Sequence, residues 1–235
     1  MGQRHPHRTA RRALDWLLSS LFEPPCAACQ AVLTNPLDGA VCEACWASVR
    51  VAPALHEQSS GDHSVNQAAA IGEYDGCLRD IIHALKYEGR RSIAAPLGAL
   101  MRSAGAELLR DADVAVPVPL HPRRQRSRGF NQADDLARAL GLPVRPLLRR
   151  IRYTTSQIDL PKDERQRNVR DAFALADKPK GLSPHVKGWS PPVVVLVDDV
   201  ATTGATLDAC AAVLKAAGAK EVRALTAARV ATARR

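Results

Sequence analysis

The sequence predicts an α/β protein, with a mostly parallel central sheet flanked by helices and a small cysteine-rich module ahead of it. Three observations carry this reading. Strand-like and helix-like segments alternate from Ala68 to the end of the chain. The run VVVLV at 193–197 has no polar alternation, as in a strand buried on both faces. Four of the six cysteines crowd into residues 26–45 as two C-x2-C pairs. Strands that alternate with helices pair in parallel, because the crossover helices cover the faces of the sheet.

The elements follow in order. Leu14, Leu17, Leu18 and Leu21 recur at i, i+3, i+4 and i+7, which marks an amphipathic helix behind a basic tail. Asp15 interrupts the apolar stretch and no small-x-small site follows, which argues against a secretory signal. This helix packs on the protein or a partner, or else lies on a membrane surface. The polar stretch Pro53–Asn66 reads as a linker. Beyond it, 68–74 suggests a strand, and 77–87 a helix with Leu78, Ile81, Ile82 and Leu85 on one face. Residues 92–110 read as one helix, with Pro96 in its first turns. Then come a buried strand at 113–119, a helix at 132–140 closed by Gly141, and a strand at 171–175. A loop at 178–192 leads into the 193–197 strand, a helix at 205–218 and a final strand at 221–228. The resulting division is a basic tail and helix at 1–22, a four-cysteine module at 23–52, a linker at 53–66 and an α/β domain at 67–235.

Composition narrows the function. The chain is 46% hydrophobic and 24% charged, ordinary for a globular protein. No apolar run is long enough to span a bilayer, and the expected location is the cytoplasm. Net charge is +9, from 26 arginines and 7 lysines against 24 acids. That balance fits either a solvated arginine-rich surface or a phosphate-bearing partner gripped by guanidinium groups. Aromatics make up only 4%, so no stacking platform for single-stranded nucleic acid is visible.

Cys26, Cys29, Cys42 and Cys45 form two pairs separated by twelve residues. Two tight turns, each offering two thiolates, close a tetrahedral four-sulfur zinc site with no position left for water, so the metal would be structural. Disulfides or unligated buried thiols are the alternatives, the first disfavoured without a secretion signal. Cys77 and Cys210 read as core thiols on helix faces.

The segment VDDVATTGATL at 197–207 carries the chemistry. Ligands of a parallel α/β sheet bind beyond the carboxyl ends of its strands, and the 193–197 strand delivers Asp198 and Asp199 there. Ala201, Thr202, Thr203, Gly204, Ala205 and Thr206 then supply hydroxyls and accessible amides at a helix N-terminus, a natural phosphate cradle. The carboxylates suit vicinal hydroxyls or a divalent metal beside that phosphate, which implies a sugar phosphate. An Asp N-cap with a threonine-rich turn is the purely structural alternative. The segment after the 113–119 strand places Arg123, Arg124, Arg126 and Arg128 in a loop ending at Gly129, where they can neutralise a pyrophosphate or face solvent. His83 and His121 lack a paired carboxylate and are not read as bases.

The 197–207 segment resembles the phosphoribosyl pyrophosphate (PRPP) motif of type I phosphoribosyltransferases. That resemblance implies a type I phosphoribosyltransferase-like fold, with Asp198 and Asp199 on the ribose hydroxyls and residues 201–206 on the 5′-phosphate. RGFNQA at 128–133, LLSSLFEPPCAAC at 17–29, IHALKYEGRR at 82–91 and TTSQIDLPKDERQRNV at 154–169 are similar to the ComF family, a branch of that superfamily tied to DNA uptake and competence. The likeness runs from about Leu17 to the last strand and takes in the cysteine module as a zinc ribbon.

The resemblance implies a catalytic set of Arg128, Asp198 and Asp199, a pyrophosphate loop of Arg126, Arg128 and Gly129, and Mg2+ entering with PRPP. The 154–169 stretch also resembles the mobile hood segment of amidophosphoribosyltransferases, making Thr155, Gln157, Arg165 and Arg167 candidate lid contacts. Lys86 matches the family pattern too, although a lysine closing a helix satisfies the dipole equally well. The implied reaction is transfer of phosphoribose to a nitrogenous acceptor that no residue identifies. The rival is a non-catalytic PRPP- or nucleotide-binding accessory of DNA uptake, working with single-stranded DNA or a helicase-like partner. Either can be oligomeric.

Overall fold

The computed structural model describes residues 25–33, 39–49, 51, 57–58, 64–152, 171–176 and 193–231. The helix expected around Leu14–Leu21 and the lid candidates Thr155, Gln157, Arg165 and Arg167 lie outside the described residues.

Five strands form one sheet in the order β1-β2-β7-β6-β3. β2 (Gln67–Glu73), β7 (Glu221–Arg229), β6 (Val193–Ala201) and β3 (Val114–Pro117) run parallel, and the two-residue β1 (Glu57–Gln58) pairs antiparallel with β2. β1 falls within the stretch read as a linker. At the other margin Val144 bridges to Ala115 of β3. A separate antiparallel pair joins β4 (Leu148–Arg150) to β5 (Phe173–Leu175).

Successive residues of a strand point to opposite faces, and β6 buries both of its own. Val195 and Val197 enter a core with α2 (Gly76–Tyr87), α3 (Ala94–Ala104) and α6 (Gln132–Arg138). Val194 and Leu196 enter a second core with α7 (Ala205–Ala216) and Phe173 of β5. This is why the strand shows no polar alternation. The four-cysteine module shares the first core: Cys26, Cys45 and Val49 are buried with Leu78, Ile82 and Leu85 of α2, and its helix α1 (Glu43–Ser48) packs on α2.

Two local expectations are corrected. The single helix expected over 92–110 is a 3-10 turn at Arg91–Ile93, then α3, then the short α4 (Ala106–Leu109), broken at Gly105. A Cβ at Gly105 would stand 2.9 Å from the Leu225 side chain, so the chain passes close over β7 there. The basic segment expected as a loop is instead a helix, α5 (Pro122–Arg128). Pro122 opens it, the His121 side chain accepts from the Arg123 N–H, and Gly129 leaves it at φ +80°.

α3 and α6 meet with almost no space between them. A Cβ at Gly98 would collide with the Ala139 Cβ and stand 3.2 Å from the Leu136 carbonyl oxygen. Gly98→Ala gains about 1 kcal/mol in helix propensity. The obstructing atom, however, sits directly on the neighbouring backbone and cannot swing aside. A net loss of about 1–3 kcal/mol is expected, the usual cost of overpacking. Urea unfolding checks this, and Ala139→Gly in the same chain should recover most of the loss.

Candidate functional site

The carboxyl end of β6 places its two aspartates on opposite faces of the sheet, because they continue the alternation of the valines before them. Asp199 follows Val195 and Val197 toward α2. There Lys86, in the last turn of that helix, sets its Nζ 2.6 Å from Asp199 Oδ1, with side-chain exposures of 15% and 5%. Asp199 is therefore buried rather than lining an open crevice, and its Oδ2 has no hydrogen-bond partner. Burial works against the charge on Lys86, but Asp199, then Asp198, raise its pKa above the usual lysine value.

Asp198 follows Val194 and Leu196 toward α7 and β4. Burial, followed by repulsion from Asp199, pushes its carboxyl up to about 7 against the opposing pull of Lys86, the Asp199 N–H and Arg150. The Asp199 N–H donates to Asp198 Oδ1 at 2.8 Å. Arg150, at the end of β4, lies over the Phe173 ring with its guanidinium carbon 5.3 Å from the centroid. Burial first, then Arg124, lowers the Arg150 pKa, while Cys210 and Asp198 oppose them. Arg150 thus stands between the basic helix and the acidic pair, and the sequence reading missed it. The strand that carries it is three residues long, and its partner lies 23 residues further on.

Beyond the acidic pair, Ala201 ends β6, and Thr202 and Thr203 lead into Gly204. At φ +76° Gly204 turns the chain into α7, whose first residues are Ala205 and Thr206. The loop opens the way to the N-terminal amides of a twelve-residue helix. All eight residues from Asp198 to Thr206 named by the motif, Val200 apart, therefore occupy one strand end and the turn that follows it.

α5 has no buried residue, but Arg124 and Arg128 are half-buried whereas Arg123 and Arg126 are exposed. Arg128 donates to Gln132 Oε1 at 2.7 Å and lies over the Tyr87 ring at 5.1 Å, beside the end of α2 that carries Lys86. Loss of solvation, then the guanidinium groups of Arg150, Arg123, Arg126 and Arg124, hold His121 below its usual pKa. So many cations around one imidazole mark a field suited to a polyanion.

The cysteine cluster lies across α2. The sulfur atoms of Cys26, Cys29, Cys42 and Cys45 all lie within 4.8 Å of one another, and Cys29 Sγ is 3.8 Å from Cys42 Sγ. Tetrahedral Zn–S bonds of about 2.3 Å require sulfur–sulfur edges of about 3.8 Å. The Cys42 N–H donates to Cys26 Sγ at 3.3 Å. Burial raises the Cys26 thiol, but backbone donors around Cys29, Cys42 and Ala28 outweigh it and bring the thiol to about 6. The donor set therefore fits a thiolate-bound metal. Cys210 is fully buried, as expected of a core thiol. Cys77 is half-buried beside Cys45 and lines a cavity of ≈ 750 Å³ at the carboxyl ends of β2 and β7, together with Val49, Glu73, Asp75 and Arg229.

A parallel sheet, an acidic pair at a strand end and a threonine-rich turn into a helix define a phosphoribosyltransferase-type protein. The family described as "Phosphoribosyl transferase domain" matches residues 126–235. Competence protein F of Haemophilus influenzae is 32% identical over 72% of this chain and 73% of its own length. The DNA utilization protein YhgH of Salmonella typhimurium is 35% identical over 66% of this chain and 68% of its own. Competence protein ComFC of Streptococcus pneumoniae is 28% identical over 66% of this chain and 64% of its own. The chain belongs to the competence protein F (ComF) family, with a type I phosphoribosyltransferase fold behind a four-cysteine cluster. No described helix is long and apolar enough to cross a membrane.

Proposed function

We propose that the chain binds PRPP and transfers its phosphoribosyl group to a nitrogenous acceptor, releasing pyrophosphate. The observation that carries this reading is the acidic pair at the end of β6, followed directly by the turn into α7. Asp198 and Asp199 accept hydrogen bonds from the ribose hydroxyls, and residues 201–206 hold the 5′-phosphate. Arg124, Arg128 and Arg150 face the pyrophosphate, with Arg126 at the rim, while Lys86 holds Asp199 in place. The bond from the anomeric carbon to pyrophosphate oxygen breaks with its electron pair leaving on the pyrophosphate. The acceptor nitrogen supplies the new pair and sheds its proton. The arginines stabilise charge that grows on the leaving group, so they act most strongly in the transition state.

Mg2+, arriving with PRPP, would add further neutralisation of the pyrophosphate. The division into a module at 23–52 and a transferase domain at 67–235 belongs to the same reading, as does a closing role for Thr155, Gln157, Arg165 and Arg167. In sheet order, β3 with its basic helix lies on one side of β6, and β7 and β2 with their cavity lie on the other. Nucleophile and leaving group require such opposite approaches. Zn2+ on Cys26, Cys29, Cys42 and Cys45 completes the structural side of the proposal.

Calorimetric titration with PRPP and Mg2+, joined to a pyrophosphate-release screen over nitrogenous bases, tests the reading. Because Asp198 titrates at about 7, affinity is expected to climb roughly tenfold between pH 6 and pH 8. Asp198→Asn should flatten that rise, which separates it from titration of PRPP itself. Absence of PRPP binding at every pH overturns the proposal. Binding without turnover on any acceptor favours the accessory role in DNA uptake instead, the direction in which the names of the relatives point.

A further inference from the structure

We propose that the four-cysteine module is a positioning element of the acidic pair, gripping α2 at both ends so that Lys86 is held against Asp199. The helix α2 links the cysteine cluster to the β6 strand end, and each of its ends is tied to the module by a different contact.

At the start of α2, Cys77 in the first turn lies beside Cys45, and α1 packs on the same helix. Beyond its end, Arg90 donates from Nη1 to the carbonyl oxygen of Pro25 at 2.6 Å. Pro25 directly precedes the ligand Cys26. Glu88 braces the Arg90 guanidinium, with Oε2 3.0 Å from Nε. Between these ties, Leu78, Ile81, Ile82 and Leu85 are buried in the core that also takes in Cys26, Cys45 and Val49. Lys86 follows Leu85 and reaches across to the aspartate at 2.6 Å.

The geometry makes the helix a lever. Twelve residues span about 18 Å, so a tilt of about 5° pivoting on the first turn moves the last by about 1.5 Å. That is enough to open a 2.6 Å ion pair. A thiolate-bound metal fixes the two cysteine turns relative to each other, and so fixes the frame that holds both ends of α2. Lys86 then fixes one oxygen of Asp199, and with it the orientation of the whole carboxylate, whose second oxygen, Oδ2, is buried without a hydrogen-bond partner. On this account Lys86 and Arg90 are positioning residues, and the module acts on the sugar-phosphate site through α2.

The test uses the full chain with its metal in place, and its affinity arm rests on the PRPP reading above. Arg90→Ala leaves all four cysteines intact, and metal analysis confirms that the cluster stays loaded. Hydrogen exchange at residues 82–87 should quicken about tenfold while α7, on the other face of the sheet, is unchanged. Affinity for PRPP with Mg2+ should fall about five- to tenfold. Lys86→Met should weaken binding on its own, and adding Arg90→Ala to it should change affinity by less than twofold. Lys86→Arg should restore sensitivity to Arg90→Ala. Unchanged exchange at 82–87 overturns the inference, as does an equal rise across both α2 and α7, which would mean general destabilisation. Independent, multiplicative losses in the Lys86→Met and Arg90→Ala pair also overturn it. Failure of the unmodified, loaded chain to bind PRPP sinks the proposed function, and the exchange measurement then decides the inference alone.

Discussion

Asp199→Asn is expected to destabilise the folded chain by about 3–5 kcal/mol, whereas Asp198→Asn, one residue earlier, should be neutral or stabilising at pH 8. Asp199 is the counter-charge of a Lys86 ammonium that has lost most of its water. Removing one partner of a buried pair strands the other, and that stranding is the usual source of losses of this size. Asp198 has the opposite circumstances. Burial and Asp199 disfavour its charge and raise its carboxyl from 3.8 to about 7.

Between those two values the unfolded chain releases the proton and the folded chain keeps it. The contribution of Asp198 to stability is therefore full below about pH 4, declines as pH rises to about 7 and is constant above that. An asparagine there removes the decline. Urea unfolding of both variants across pH 4–8 checks the contrast. Lys86→Met added to Asp199→Asn should return most of the lost stability, since it removes the stranded charge. Equal stabilities for the two single variants would contradict the placement of the aspartates on opposite faces. Both variants should nevertheless bind PRPP more weakly, because each loses a charged acceptor worth about 1.5–3 kcal/mol.

Loss of metal from the cysteine cluster is expected to lower the unfolding temperature of the whole chain, not of a detached module, by about 10 °C or more. Structural zinc contributes its binding energy to folding, and for a chain of this size each kcal/mol lost shifts the midpoint by about 2–4 °C. Cys26 and Cys45 lie in the same core as α2, α3 and the inner strands, so the module cannot melt without exposing that core. Cys42→Ser is the suitable variant, because Cys42 is only partly buried and the hydroxyl creates little packing change. Elemental analysis should find one zinc in the unmodified chain and none in the variant, and calorimetry should show a single, earlier transition. Two separate transitions, with the later one unmoved, would contradict the shared core.

The elements legible in the sequence were those whose pattern is local. The β6 run followed by two aspartates and a threonine-rich turn reads directly, as do the paired cysteines and the apolar stripe of α2. The basic helix α5 looks like a loop in the sequence although Pro122 and Gly129 mark its ends, because seven residues with no buried face carry no periodicity to detect. The break at Gly105 depends on the approach of Leu225 from a strand 120 residues away. Arg150 and the pairing of Lys86 with Asp199 were illegible for the same reason. Each is a meeting of distant segments, and the residues themselves look like ordinary surface cations.

The margins of the central sheet bear on how the chain behaves at high concentration. An uncovered edge strand offers a row of free amides and carbonyls to any neighbouring copy. Among the described residues, one margin ends in the two-residue strand Glu57–Gln58, polar at both positions. The opposite margin, β3, ends in Pro117, which has no amide to offer, and Val144 already occupies its outer side at Ala115. Among the described residues, the β3 margin therefore offers no continuous row of free amides, and strand addition by a neighbouring copy is obstructed there.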